Sequence, residues 1–258
     1  MRLLKLPTIW LAVCAMLLTF PCNAQTESEV ANDAPRWNFS SATFQLSAHD
    51  QFFSEMDHKR LLNVSAVPFH ISENMEEYQK TNYFDASFYS NKAGVSFGLI
   101  KNSDTKWKRE VVLGARFMFG SEVMLDYEKN SNANENISFC LVENALELEV
   151  SHLFRKDNEN TSLFFGPSLS FGQSFGNELI IFRSNYNAYS EDYYKATNSF
   201  LMVGHLNAGA FVNIYDGIGM RMAVQAGCGY SVRDNFQNVM SRSISYAYGF
   251  EYRFNKPD

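Results

Sequence analysis

The stretch "SISYAYGFEYRF", Ser243 to Phe254, puts a large apolar or aromatic side chain at every second position and a small or charged one between. Successive side chains of a strand point to opposite faces. Ile244, Tyr246, Tyr248, Phe250, Tyr252 and Phe254 therefore share one surface, while Ser243, Ser245, Ala247, Gly249, Glu251 and Arg253 share the other. The fold turns on which surface meets water, which meets lipid, and what the second surface packs against.

The same division repeats along most of the chain. In "VVLGARFMFG", Val111, Leu113, Ala115, Phe117 and Phe119 oppose Val112, Gly114, Arg116, Met118 and Gly120. In "CLVENALELEV", Cys140, Val142, Leu146, Leu148 and Val150 oppose Glu143, Ala145, Glu147 and Glu149. "SLFFGPSLSFG", "HLNAGAFVNI" and "MRMAVQAGCGY" divide in the same way. Each apolar row has about the nine to eleven positions with which a tilted strand crosses a bilayer.

A soluble sandwich or lipocalin-like barrel also alternates, but its polar face looks at water and carries long charged side chains freely. Here the polar face is crowded with Gly, Ser and Ala, and lysine is almost absent from it between residues 110 and 255. A narrow lumen accounts for both features, because eight strands enclose an interior that side chains just fill. The pattern predicts an all-β fold, an eight-stranded antiparallel transmembrane β-barrel. Its strands fall near 38–48, 85–101, 106–124, 136–154, 161–181, 197–215, 217–231 and 241–254. The connectors "NSDT" (102–105), "KDNEN" (156–160) and "DG" (216–217) are short; those near 49–84, 125–135, 182–196 and 232–240 are longer. That asymmetry predicts short periplasmic turns and longer extracellular loops. "LLNVSAVPFHI" (61–71) reads as a surface hairpin in the first loop, or else as a replacement for 38–48 as the first strand, because the strand count must be even. Pro167 lacks a ladder donor and predicts a bulge.

The N-terminus, "MRLLKLPTIWLAVCAMLLTFPCNAQ", has two cations, an apolar stretch and a small-residue junction at Cys22-Asn23-Ala24. These are the parts of a secretory signal peptide over residues 1–24, followed by a periplasmic segment, 25–36, and the barrel, 37–258. Cleavage removes two of the 22 Lys and Arg and none of the 28 Asp and Glu, taking the net charge from −6 to −8. An acidic chain without clustered cations argues against a nucleic-acid partner. Cys140 and Cys228 remain, on apolar registers of different strands, so no disulfide framework is expected. No later segment has 18 uninterrupted apolar residues, which excludes a helical membrane protein.

With that pattern the chain resembles the small bacterial outer-membrane β-barrels of the OmpA transmembrane-domain and OmpX kind, from about residue 37 to the end. The resemblance implies that Phe254, the aromatic closing the last strand, is read by the barrel-insertion machinery; here Asn255–Asp258 follow it. Lipid A deacylases of the PagL type share the architecture and use a His-x-Ser pair with a carboxylate. "FHISEN" offers His70, Ser72 and Glu73, but in the first loop, whereas that family's motif lies on a late strand.

The predicted lumen register holds Glu110, Arg116, Glu122, Glu143, Glu147, Glu149, Arg221, Glu251 and Arg253. Buried charges must be paired and hydrogen-bonded. Arg116, Arg221 and Arg253 are therefore expected to bridge the glutamates, using a fork that bonds two carboxylate oxygens at once. His205 faces inward beside Asn207 as an ordinary hydrogen-bonded residue. No metal spacing or phosphate loop appears, so no cofactor is expected. The expected role is a non-enzymatic surface or structural scaffold with a filled lumen; its rivals are a narrow channel, a lipid A-modifying enzyme and a soluble secreted barrel. Expected partners are outer-membrane lipid, the insertion machinery and an extracellular ligand of the loops, where Tyr186, Tyr189, Tyr193 and Tyr194 cluster.

Overall fold

The computed structural model describes residues 37–53, 57–65, 74–81, 87–101, 105–185, 188–233 and 236–254. The expected signal peptide, the 25–36 segment, the 255–258 tail, and His70, Ser72 and Glu73 lie outside the described residues. Among the described residues ten strands run β1 (Trp37–Phe53), β2 (Tyr78–Lys80), β3 (Ser87–Lys101), β4 (Lys108–Lys129), β5 (Asn132–Asp157), β6 (Thr161–Asn185), β7 (Ala188–Lys195), β8 (Ser199–Tyr215), β9 (Ile218–Arg233) and β10 (Phe236–Arg253), with one short α-helix, α1 (His58–Leu62), and a 3-10 turn, Met75–Glu77. Eight of the strands close an antiparallel ring in the order β1-β3-β4-β5-β6-β8-β9-β10. The closing seam pairs β1 with β10, from Ser41 opposite Arg253 to Phe53 opposite Ser241. A ring without edges satisfies its backbone entirely within the wall, which is what a bilayer requires.

All eight expected strands form, and the last closes against the first. Residues 37–53 are the first strand, so 61–71 does not replace it, and its described part is not a hairpin: it holds the end of α1 and a single bridge from Ser65 to Ala196. The loops expected at 125–135, 182–196 and 232–240 are instead mostly strand. β4 and β5 run on to a two-residue tip at Asn130–Ser131, β6 folds back as β7, and β9 and β10 extend to residues 233 and 236. At the other rim the connectors are short as expected. Asp216 and Gly217 both have positive φ, 45° and 84°, which is the backbone of the tight hairpin that Asp-Gly favours.

The outward faces are apolar. Leu206 is 70% and Phe250 62% exposed, and Tyr246, Tyr248, Tyr252 and Phe254 are exposed beside them, while Ile244 is half-buried. Outward-facing Lys101, Arg109 and Lys156 bound this belt towards the short-turn rim, and Asp50, Glu178 and Arg242 bound it towards the other. Between them β4 presents Val111 to Phe119, the span of a membrane strand. Trp107 stacks edge-on against Phe165 at 5.2 Å and Tyr252 against Phe254 at 5.2 Å, forming an aromatic girdle at the short-turn side. A continuous apolar wall of this size is incompatible with water as the solvent.

The inward faces are tight because long charged side chains lie across small ones. A Cβ at Gly94 would meet Arg116 Cγ at 2.7 Å, one at Gly172 would meet Glu147 Cγ at 2.8 Å, and one at Gly98 would meet Glu110 Oε1 at 2.7 Å. Beyond the belt, β4, β5 and β6 continue together, joined by β2 on β4 and β7 on β6. In β5 the odd residues point inward throughout, from Ile137 to Arg155. In β4 and β6 the inward parity is even below the rim and odd above it. The switches occur at register shifts between Met118 and Ser121 and opposite Val142/Asn144, at Gly120 (φ 63°) and Gly176 (φ 62°). The bulge expected at Pro167 is absent: Pro167 pairs with Leu206 in unbroken register, and the irregularity in β6 lies at Gly176. A proline facing lipid on the outer surface needs no bulge once its neighbours carry the ladder, whereas a change of parity needs an added residue.

Gly176 has room for a methyl group, its nearest neighbour being Asn144 Nδ2 at 3.9 Å. Gly176→Ala should therefore cost only the left-handed conformation, about 1–2 kcal/mol. Hydrogen exchange at the Leu179 and Ile181 amides should quicken correspondingly while the belt is unchanged.

Candidate functional site: the filled lumen and the outer end

Of the expected lumen residues whose side chains are described, all are buried except Arg221, which is half-buried, and each has a charged partner. Nearest the short-turn rim, Glu110 accepts from Arg155 Nη1 at 3.1 Å and from Ser40 Oγ at 2.5 Å. Glu251 takes Arg221 Nη1 at 2.7 Å on one oxygen and Arg253 Nε at 2.8 Å on the other. Arg253 also reaches across the ring to Ser162 and, at 3.4 Å, to Asp157, and its guanidinium lies 3.6 Å over the Phe211 ring. Arg221 stacks likewise on Phe164 at 3.9 Å.

One tier higher, Arg116 meets Glu149 at 2.7 Å and donates to Gln225 Oε1 at 3.1 Å on the opposite wall. Above that, Lys92 Nζ donates to both oxygens of Glu147, at 2.8 and 2.9 Å. His49 Nδ1 shares a 2.5 Å hydrogen bond with Ser245, and His205 Nε2 shares one of 3.0 Å with Ser170. The top tier is Glu143 with Arg233, whose Nη1 also donates to the Thr197 carbonyl. The cavity bounded by Arg116, Glu149, Asn207, Gln225 and their neighbours has a volume of about 20 Å³, room for roughly one water.

Arg116 meets Glu149, and Arg221 and Arg253 both meet Glu251. Glu110, Glu143 and Glu147 are held by Arg155, Arg233 and Lys92, which sequence reasoning did not single out. All three follow the inward parity of their strands: Arg155 and Arg233 lie just past the expected ends of their strands, and Lys92 lies within β3 on the face that Gly94, Ser96 and Gly98 share. The Glu122 side chain lies outside those described. Phe254 sits at the short-turn rim, exposed, with its amide bonded to the Ser40 carbonyl at 3.0 Å. Cys140 is buried and Cys228 exposed, both as free thiols.

Above the charged tiers the lining turns apolar. Leu125, Tyr127, Ile137, Phe139, Leu141, Leu179 and Ile181 line the inner face of the strand extensions and pack against Leu61, Val64 and Ala196. The helix α1 fills the concavity. Asp57 caps it by accepting from the Arg60 amide at 2.8 Å, the His58 amide donates to the Tyr127 hydroxyl at 3.0 Å, and the Thr197 amide donates to the Val64 carbonyl at 2.8 Å. Burying Leu61 and Val64 completely contributes about 1.5–3 kcal/mol each.

His58 sits edge-on to Tyr127 at 5.3 Å, and its burial holds the imidazole below its usual range. Folding thus disfavours the protonated form, so this contribution is present above the unfolded value of 6.5 and lost as pH falls below it. Exchange at the Leu61 and Val64 amides, corrected for the intrinsic pH dependence, should lose protection as pH falls below 6.5. A His58→Phe variant should show no such loss.

On the outer face of β7, Tyr189 and Tyr193 are exposed and both hydroxyls donate to Glu191. Sharing that carboxylate pushes Tyr189 up to about 12 and draws Glu191 below the usual carboxylate range. Tyr194 instead packs inward against the apolar cluster, and Tyr186 lies outside the described residues.

No protein-family model matches the chain, and no curated protein matches it. Among solved structures, the attachment invasion locus protein Ail of Yersinia pestis aligns at 11% identity over 83% of this chain and 99% of its own, with a TM-score of 0.26. Neisserial surface protein A aligns at 9% over 83% and 97%, with a TM-score of 0.29. The outer membrane protease OmpT of Escherichia coli aligns at 9% over 88% and 100%, also at 0.29. At such scores the likeness carries no inference about activity. The closed eight-strand ring, the apolar outer wall and the packed lumen are the features of a transmembrane β-barrel fold.

Proposed function

We propose that the protein is a non-enzymatic outer-membrane scaffold: a side-chain-filled barrel that anchors a packed outer extension, with the α1 end directed out of the cell and the short turns in the periplasm. The observation that carries this reading is the lumen itself. Five stacked groups of paired charges and an apolar cluster occupy its length, and the cavity between them admits about one water. Opening a path for ions would require separating buried pairs, which costs several kcal/mol for each ion left alone.

The test is conductance of the purified protein in planar bilayers. The expected result is a baseline without steady openings; ion-selective openings that recur at fixed amplitude would overturn the scaffold in favour of a channel. Lipid A of unchanged mass on expression is the matching expectation against the modifying-enzyme alternative.

A further inference from the structure

At the short-turn border of the apolar wall, the ladder sets a row of outward residues side by side. Trp37 lies opposite Lys101, Lys101 opposite Arg109, Arg109 opposite Phe154 and Phe154 opposite Phe165. Lys156, the second residue after Phe154 on β5, points the same way and lies opposite Leu163. We propose that Lys101, Arg109 and Lys156 form a site for the phosphate of an anionic phospholipid in the leaflet at this rim.

The shared face is fixed by the residues that alternate with them. Ile100, Glu110, Arg155 and Phe164 are all buried in the lumen, so their neighbours in each strand point out. Leu163 and Phe165, on that outer side, are exposed. Other cations outside the charged tiers have a carboxylate: Lys108 pairs with Asp157 at this rim, Lys129 with Glu135 and Arg183 with Asp192 at the far end. Lys101, Arg109 and Lys156 have no carboxylate partner among the described residues. Directly opposed residues hold their Cβ atoms about 4.5–5.5 Å apart, where like charges repel, so the Lys101–Arg109 pair is unfavourable until an anion comes between them. A phosphate suits that place, because the arginine fork bonds two of its oxygens and lysine adds a point charge.

The surroundings choose a lipid rather than a free ion. Towards the belt the same two strands present Leu99 opposite Val111 and Phe97 opposite Leu113, an apolar track on which acyl chains can lie. Trp37 and Trp107 are exposed at the border, Trp107 against Phe165, and tryptophan rings sit at headgroup level. Charge then chooses the headgroup. An ethanolamine lipid would bring its ammonium among three cations, whereas a phosphatidylglycerol brings only its negative phosphate. The opposite border presents Asp50 and Glu178 as well as Arg242, so it offers no comparable cationic patch among the described residues.

The inference rests on the proposed membrane placement of the wall, and its test separates the two. The chain has three tryptophans, and a Trp10→Phe background leaves Trp37 and Trp107, both beside the patch, as the emitters. The protein is folded from urea into phosphatidylcholine vesicles holding a minor fraction of phosphatidylglycerol or of phosphatidylcholine with acyl chains brominated near the headgroup. Quenching of the tryptophans reports which lipid sits at the patch. Brominated phosphatidylglycerol should associate about fivefold more strongly than brominated phosphatidylcholine, the factor that one cation near an anionic lipid supplies. Lys101→Gln, Arg109→Gln and Lys156→Gln together should remove the preference, and Arg242→Gln at the opposite border should leave it unchanged, all with the wild-type gel shift on boiling. Equal quenching by both lipids in a folded barrel, or a preference that survives the triple variant, would overturn the site and leave the barrel reading standing. Absence of quenching by either lipid would overturn both. Loss of the preference once lipid A is added would give the cations to that lipid's phosphates and overturn a phospholipid site.

Discussion

Glu251→Ala should lower the stability of the folded barrel by about 3–5 kcal/mol, the cost of leaving buried charge without its partner. Glu251 is 1% exposed and its two oxygens separately hold Arg221 at 2.7 Å and Arg253 at 2.8 Å, with Thr43 Oγ1 3.3 Å away. After its removal Arg253 keeps Ser162 and Asp157, but Arg221 keeps, among the described residues, the face of Phe164 alone. The lost energy is chiefly the desolvation of a stranded guanidinium. Replacing Arg221, Glu251 and Arg253 together by Leu, Leu and Met should recover most of it, because no charge of this group is then left alone: Asp157 keeps Arg155 and Ser162. Urea unfolding in lipid vesicles measures both. A single variant within 1 kcal/mol of the wild type would mean that water reaches this tier and that the lumen is not filled.

Much of this arrangement was legible in the chain. Glu251 and Arg253 interrupt an aromatic row only when the strand is read as one-faced; with two faces they fall beside Ser243, Ser245, Ala247 and Gly249, all of which point inward. The same parity located Arg116, Glu147, Glu149 and Arg221. The partners were harder, because parity gives a face and not a height: Arg116 finds Glu149 and Gln225 and leaves Glu147 to Lys92. Pairing on the inner wall depends on strand stagger around the whole ring, which no single segment encodes.

The outer extension was the least legible part. Residues 125–135 and 182–196 are polar or tyrosine-rich enough to read as loops, yet Leu125, Tyr127 and Ala196 from them join Ile137, Leu179 and Ile181 in a buried cluster above the belt. The change of parity at Gly120 and Gly176 hides this continuity. Both glycines resemble in sequence the many that make room in the lumen, but their φ near 60° and the open space around them set them apart. Helix α1 escaped notice because five residues form too short a span for a helical period to show, and its stability comes from the docking of Leu61 and Val64 rather than from propensity.

If the wall of this ring meets lipid, Leu206→Arg places a charge in hydrocarbon. Leu206 is 70% exposed, halfway along the outer face of β8, with Pro167 and Ala226 paired on either side. On a protein surrounded by water, a substitution at so exposed a site changes stability by no more than about 0.5 kcal/mol. In a bilayer the same arginine is placed near the midplane of the hydrocarbon, at a cost of about 2–4 kcal/mol. Reversible folding from urea into phospholipid vesicles, followed by the difference in gel mobility between unboiled and boiled samples, gives the value. A loss of about 2–4 kcal/mol is the predicted result; a change within 0.5 kcal/mol, with folding that proceeds equally well without vesicles, would contradict the transmembrane barrel.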